Sequence, residues 1–226
     1  RQRQMCIRDR CFDAYADMIV WTKNADGSWS YDYTVFDRWV ELMTGLGIDR
    51  TINCYSMLPW NNELHYRDGS TGRFVDVTAD PGTPAFEALW EPFLTDFTGH
   101  LREKGWLGRT NIAMDERSPE EMTDALGLLR KTAPELGIAM ADNKNSYLNY
   151  PFINSMCVKV RDRVPPQHIA ERRAQGFITT YYVCCSDRFP NMFTFSAPAE
   201  AVYAGWYMAA CGYDGFLRLS LIHISE

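Results

Sequence analysis

The sequence predicts an α/β fold in which βα units build a parallel sheet. Short apolar runs alternate along the chain with longer segments of helical periodicity, which is typical of βα units. Four helical segments begin at or next to a proline, which suits a first turn because its missing N–H would have no partner there. Six strand candidates are two fewer than a closed (β/α)8 barrel needs. We therefore expect an incomplete TIM-like barrel that lacks its first strands.

The individual elements follow from these patterns. The candidate strands are residues 51–55 (TINCY), 110–114 (TNIAM), 137–141 (GIAMA), 154–160 (NSMCVKV), 177–183 (FITTYYV) and 214–218 (DGFLR). The candidate helices are residues 34–44, 84–104, 119–132, 165–174 and 198–210. Residues 18–33 alternate around Asp26-Gly27 and predict a hairpin. Because they lie in helical patterns, Trp39, Trp90 and Trp206 are expected in the core.

Composition limits the classes of function. The chain has 226 residues, of which 46% are hydrophobic, so it can bury one sizeable core. A formal net charge of -6 and the lack of a basic run argue against a nucleic-acid or anionic-membrane partner. No apolar run reaches the roughly 18 residues of a membrane span. We expect a soluble protein that acts on an uncharged or weakly charged substrate, whereas its compartment, which includes a secreted or periplasmic one, stays open.

Cofactor and metal signatures do not occur in the sequence. The seven cysteines show no zinc-like spacing, and the four histidines never fall at helical metal-ligand spacing. Phosphate-loop, GxGxxG and GxSxG patterns are absent as well. The sequence therefore predicts no cofactor and no metal.

The two ends differ from the rest of the chain. Residues 1–10 (RQRQMCIRDR) lack the order of a signal peptide, and residues 219–226 (LSLIHISE) follow the last strand candidate without a turn or cap. Both tails resemble translated sequencing-adapter read-through. We expect a single truncated domain over residues 11–218, flanked by foreign tails.

The stretch NIAMDERSPEE, residues 111–121, places Asp115 and Glu116 between a strand and a helix. Ser118 is a candidate N-cap, Pro119 stands at the first helical position, and Glu121 can close a capping box. Loops at the carboxyl ends of barrel strands build active sites. Adjacent carboxylates repel each other, so the pair is either used chemically or well solvated. From these residues alone, both readings stay open, and Arg117 is read as a salt-bridge partner.

Three longer stretches carry a resemblance to a known family. Residues 26–60, residues 111–122 and residues 179–218, which contain TFSAPAEAVYAGWY and GYDGFLR, resemble the catalytic barrel of glycoside hydrolase family 123. Characterised members are retaining β-N-acetylgalactosaminidases that use the substrate's own 2-acetamido group. The resemblance implies that Asp115 orients that group and Glu116 is the general acid/base. If the pair closes the fourth barrel strand, two strands precede Thr51 in the intact barrel.

Three further residues are candidates for lining a sugar subsite. Trp60, Asn143 and Tyr182 follow or end strand candidates, and aromatic faces stack on sugars while amides bind hydroxyls. Ordinary packing or loop capping explains each of them equally well. The expected partner is an oligosaccharide or glycoconjugate substrate.

Two other functions compete with this hypothesis. In the first, Glu116 is the acid and Asp187 is a protein nucleophile on a sugar that lacks the acetamido group. In the second, the barrel binds carbohydrate without turnover. The identity of the sugar and of the aglycone does not follow from the sequence.

Overall fold

The computed structural model of the chain describes residues 17–115, 117–142, 146–184, 186–193 and 195–217, apart from the side chains of Trp60 and Ser146. The chain divides into two compact units. Among the described residues, the N-terminal unit contains residues 17–112 and 117–137, and the C-terminal unit contains residues 113–115 and those from 138 to 217. The predicted tails lie outside the described residues, so the predicted domain boundaries stay predictions.

The described residues form ten strands and five α-helices. The strands are β1 (Val20–Lys23), β2 (Trp29–Asp32), β3 (Ile52–Cys54), β4 (Glu63–Asp68), β5 (Phe74–Thr78), β6 (Thr110–Met114), β7 (Gly137–Asp142), β8 (Ser155–Lys159), β9 (Ile178–Tyr182) and β10 (Gly215–Phe216). The helices are α1 (Thr34–Gly45), α2 (Pro84–Glu103), α3 (Pro119–Thr132), α4 (Pro166–Ala174) and α5 (Pro198–Cys211). No helix within the described ranges combines the length and the apolar composition that crossing a membrane requires.

All six predicted parallel strands are present. They form one sheet in the order β10-β9-β8-β7-β6-β3. The strands β3 and β6 pair in parallel within the N-terminal unit, and β7, β8, β9 and β10 pair in parallel within the C-terminal unit. Every residue of β6 is buried, as expected for a strand covered on both faces. The α/β class and the five predicted helices are confirmed, whereas a complete eight-stranded barrel stays a proposal.

A second sheet lies in the N-terminal unit. The predicted hairpin is present as β1 and β2, and Gly27 in its turn adopts a φ of +85° that favours glycine. The hairpin of β4 and β5 is not among the predicted elements. Parallel pairing of β1 with β4 joins both hairpins in the order β2-β1-β4-β5.

Aromatic side chains form the core of the N-terminal unit. The ring of Trp21 in β1 packs against the rings of Trp90 and Phe93 in α2, with centroids 5.2 and 4.5 Å apart. Trp90 is therefore core, as predicted. The prediction was wrong for Trp39 and Trp206, which are 46% and 74% exposed. Helical periodicity shows which residues share a face, but it does not show whether another element covers that face.

The start of α3 fixes the end of the loop that contains the acidic pair. Ser118 is the N-cap, and its hydroxyl accepts a hydrogen bond from the backbone N–H of Glu121 at 3.2 Å. The Glu121 carboxylate in turn accepts one from the backbone N–H of Ser118 at 3.0 Å. This capping box, with Pro119 in the first turn, confirms the predicted helix start.

We expect Ser118→Ala to lower the free energy of unfolding by about 1 kcal/mol, because the first turn of α3 loses an acceptor for its N–H groups. Chemical denaturation followed by circular dichroism measures the change. Ser118→Asp keeps an acceptor at the N-cap and is the matched control, with stability close to that of the unsubstituted chain. Equal stability of Ser118→Ala and the unsubstituted chain would contradict this role.

Candidate active site

Asp115 directly follows the buried strand β6 and is itself half-buried. Ile112, Ala113 and Met114, the three residues before it, are at most 2% exposed. The loop that continues to α3 consists of residues 115–118. A short connection after a rigid strand holds Asp115 at the carboxyl end of the sheet. Glu116 lies outside the described residues, so its catalytic role stays a prediction.

The neighbourhood of Cys157 shows which face of the sheet Asp115 lies over. Burial raises the pKa of the Cys157 thiol to about 12, a hydrogen bond with Thr180 opposes this shift, and the charge of Asp115 adds to it. Cys157 in β8 pairs with Ala141 in β7 and with Thr180 in β9. In parallel strands, paired residues place their side chains on the same face. The Asp115 carboxylate therefore lies near a row of small side chains.

Tyr182 belongs to the next row on that face. It pairs with Lys159, two residues beyond Cys157 and Thr180, so the alternation of strand side chains places it on the face of Cys157. The side chain is half-buried at the carboxyl end of β9. Its neighbour Tyr181 points to the other face, where its hydroxyl donates to the carbonyl of Ala204 in α5 at 2.6 Å. Tyr182 thus shares both its face and its edge of the sheet with Asp115.

Asp187 is held by its own loop. Its side chain is 1% exposed, and one oxygen accepts a hydrogen bond from Arg161 Nε at 2.7 Å. The other oxygen accepts one from the backbone N–H of Cys184, also at 2.7 Å. The side chain of Asn191 completes the arrangement by donating to the carbonyls of Asp187 and Cys184 at 2.7 and 3.1 Å. The carboxylate therefore organises the loop between β9 and α5.

Two carboxylates at this edge were not among the predicted site residues. Asp142 ends β7 and is 2% exposed. Burial raises the pKa of Asp162, which follows β8, and the charge of Asp142 raises it further. The sequence signal for Asp142 was a charged residue at the end of an apolar run, one position after the predicted strand end.

The guanidinium of Arg117 anchors the chain directly after the acidic pair. Its Nε and one terminal nitrogen donate to the carbonyl oxygen of Leu58 at 3.1 and 2.5 Å. Glu121, the predicted kind of partner, is 4.0 Å away. Leu58 precedes the 3-10 turn Trp60–Asn62, which follows β3. The side chain of Trp60 and the whole of Asn143 lie outside the described residues, so their subsite roles stay predictions.

Among the residues that the structure describes, no group of three or more His, Cys, Asp and Glu side chains could hold a metal ion.

Comparison with known proteins agrees with the resemblance in the sequence. The model of the family described as "Glycoside hydrolase 123, catalytic domain" matches residues 3–221. Among solved structures, the chain is similar to a family 123 glycoside hydrolase from Clostridium perfringens, studied for glycolipid glycan hydrolysis, with 31% identity and a TM-score of 0.82. The alignment covers 92% of this chain and 39% of that protein, so the chain spans less than half the length of its relative. None of the curated proteins matches.

The family match spans the acidic pair, the strands that position it and most of the described chain. The chain belongs to glycoside hydrolase family 123.

Proposed function

We propose that the chain carries the catalytic centre of a retaining glycoside hydrolase that removes a terminal β-linked N-acetylhexosamine, with N-acetylgalactosamine favoured. The observation that carries the proposal is that Asp115 directly follows a buried parallel strand of a family 123 catalytic domain, with Glu116 next to it in the sequence. The preference for N-acetylgalactosamine follows the family resemblance. The similar clostridial enzyme is described as acting on glycolipid glycans, which favours a glycoconjugate as substrate here.

The proposed reaction starts with attack by the substrate's own acetamido oxygen on the anomeric carbon. The bond to the aglycone breaks, and Glu116 donates a proton to the departing oxygen. The resulting oxazolinium ion carries a positive charge, which the Asp115 carboxylate offsets while it accepts a hydrogen bond from the ring N–H. Water then attacks the anomeric carbon and gives a proton to Glu116, which restores the acetamido group. Each of the two displacements inverts the anomeric carbon, so the released sugar keeps the anomeric configuration of the substrate.

Adjacent residues suit this reaction better than a reaction with a protein nucleophile. A retaining enzyme with a protein nucleophile holds two carboxyl groups about 5 Å apart on opposite sides of the scissile bond. Neighbouring residues on one short loop do not easily straddle a sugar ring. In substrate assistance both carboxyl groups can approach the sugar from one side. One donates a proton to the departing oxygen, and the other offsets the positive charge of the oxazolinium ion.

The row of small side chains near Asp115 supports a sugar site on that face. Ala141, Cys157 and Thr180 do not rise far above the sheet, and Tyr182 borders the row at the same edge. An aromatic ring at the border of such a site stacks on a sugar face. We propose that Tyr182 lines the subsite, joined by Trp60 and Asn143.

The structural surroundings of Asp187 disfavour it as the nucleophile. A nucleophilic carboxylate needs one oxygen that reaches the anomeric carbon, whereas both oxygens of Asp187 accept short hydrogen bonds and the side chain is 1% exposed. The non-catalytic carbohydrate-binding barrel is the remaining alternative, and it predicts sugar binding without turnover.

The six parallel strands also support a proposal about architecture. A (β/α)8 barrel needs eight strands, and the order β10-β9-β8-β7-β6-β3 supplies six consecutive ones. We propose that two further βα units complete the barrel between β10 and β3. A structure of a longer form of the protein with an open six-stranded sheet would contradict it.

The first functional prediction concerns the proton donor. In the protein that contains this chain, we expect Glu116→Gln to slow hydrolysis of a glycoside with a poor leaving group by roughly 100- to 10,000-fold, because the general acid is lost. The rate of hydrolysis of a dinitrophenyl glycoside should fall much less, because its leaving group departs unprotonated. Steady-state kinetics with both substrates measures the difference. Glu120→Gln removes an exposed carboxylate from α3 and is the matched control.

The second functional prediction concerns Asp115. We expect Asp115→Asn to slow both substrates by roughly 100- to 1,000-fold, because the charge that stabilises the oxazolinium ion is lost whatever the leaving group. A glycoside without the 2-acetamido group should be a very poor substrate. Rapid cleavage of that glycoside by the unsubstituted enzyme would contradict substrate assistance. Saturable binding of N-acetylhexosaminides without turnover would instead support the non-catalytic carbohydrate-binding barrel.

A third functional prediction separates Asp187 from catalysis. We expect Asp187→Asn to lower the thermal midpoint, because an amide N–H₂ would then face either Arg161 or the N–H of Cys184. The ratio of the rates on the two leaving groups should stay unchanged. The rate of the folded protein on each substrate should also stay close to that of the unsubstituted enzyme, whereas loss of a nucleophile would abolish hydrolysis of both substrates.

A further inference from the structure

We propose that Arg117 is a positioning residue, which holds the Asp115-Glu116 loop by fixing its carboxyl-terminal side to the turn that follows β3. This inference rests on the proposed function. It assigns a task to the residue that directly follows the acidic pair in the sequence. The contacts of Arg117 with Leu58 and Glu121 carry the inference.

Two nitrogens of the Arg117 side chain converge on one backbone carbonyl. Its Nε and one terminal nitrogen both donate to the oxygen of Leu58, 59 positions earlier in the sequence. The side chain is only 8% exposed, so these bonds are shielded from water. Transferring a charge from water into the protein interior is unfavourable unless the charge is paired and hydrogen-bonded. A guanidinium kept in this position therefore constrains the backbone to which it is attached.

The acceptor of these hydrogen bonds is itself held in place. Leu58 is 1% exposed, and its backbone N–H donates to the hydroxyl oxygen of Ser56 at 3.2 Å. The hydroxyl of Ser56 donates back to the carbonyl of Leu58 at 3.1 Å. The carbonyl that receives Arg117 thus belongs to a braced turn. An anchor attached to a fixed acceptor restricts motion more than one attached to a mobile side chain.

A second attachment joins Arg117 to the start of α3. Glu121 lies 4.0 Å from the guanidinium. Burial of Glu121 would raise its pKa, but hydrogen bonds from Ser118 and the charge of Arg117 hold the pKa below its usual value. Glu121 is therefore ionised at neutral pH and serves both the capping box and Arg117. The two residues after the acidic pair, Arg117 and Ser118, are consequently both fixed.

Such anchoring matters because general acid catalysis depends strongly on geometry. A misplacement of about 1 Å lowers rates by roughly 100-fold. Lysine retains the positive charge, but its single ammonium group cannot reproduce the planar fork that places two N–H groups on one oxygen. The substitution Arg117→Lys therefore removes the constraint on position while it keeps the charge.

The test compares Arg117→Lys with Arg109→Lys in the same protein. Arg109 also donates to a backbone carbonyl, that of Asp49 at 2.8 Å, but it precedes β6 while Arg117 follows it. We expect Arg117→Lys to lower kcat on the poor-leaving-group glycoside by ~10- to 100-fold with KM changed by less than about two-fold, and to spare the dinitrophenyl glycoside. Arg109→Lys should leave the ratio of the two kcat values unchanged, and its largest expected effect is a lower thermal midpoint.

The ratio of kcat values does not depend on the fraction of folded protein, so partial unfolding cannot imitate the expected result. A ratio for Arg117→Lys equal to that of Arg109→Lys would overturn the inference. If Arg117→Lys yields no folded protein, Ser56→Ala, which removes the brace on Leu58, must shift the ratio in the same direction, or the inference fails. Failure of Glu116→Gln to change the ratio would overturn both the proposed function and this inference, whereas failure of Arg117→Lys alone would overturn only this inference.

Discussion

The connection between β6 and α3 is the constraint on which the rest of the candidate site depends. A fully buried strand must give way to a capped helix within residues 115–118, and these few residues include two adjacent carboxylates. The strand fixes the loop on one side, and the capping box with the Arg117 guanidinium fixes it on the other. Two like charges repel each other least when solvent or a ligand reaches them. A loop held at both ends has little freedom to move, so the backbone at Asp115 stays at the carboxyl end of β6.

Carboxylates at the same edge of the sheet differ in what their surroundings allow. Asp187 has both oxygens bonded and organises its own loop, and Asp142 is almost completely buried at the end of β7. Asp115 is half-buried and lies near a row of small side chains. A group that reacts with a substrate must be both accessible and positioned. Sequence alone does not make this distinction, because burial and hydrogen-bond partners decide it.

Local patterns predicted most of the fold. Six parallel strands, five helices, the first hairpin and the capping box at Ser118 follow from periodicity, prolines and turn residues, which act over a few positions. The hairpin of β4 and β5 was missed because its strands are only partly buried and carry no continuous apolar run. The exposure of Trp39 and Trp206 and the contact of Arg117 with Leu58 depend on distant segments. An unusual charge pattern at a strand end led to the prediction of the acidic pair, which stays a prediction, whereas the hydrogen bonds that hold Asp187 give no sequence signal.

The arrangement of the carboxylates bears on the identity of the nucleophile. Adjacent residues on a short, anchored loop approach a sugar from one side, so any nucleophile on the opposite side must come from another loop or from the substrate. The loop after β9 offers Asp187, but that carboxylate is already committed to Arg161 and to the backbone of Cys184. An acetamido oxygen of the substrate requires no protein carboxylate on the opposite side. It requires instead one group that offsets the developing charge and one that protonates the departing aglycone oxygen. Substrate assistance therefore uses an adjacent pair, while a protein nucleophile would leave one member of the pair without a task.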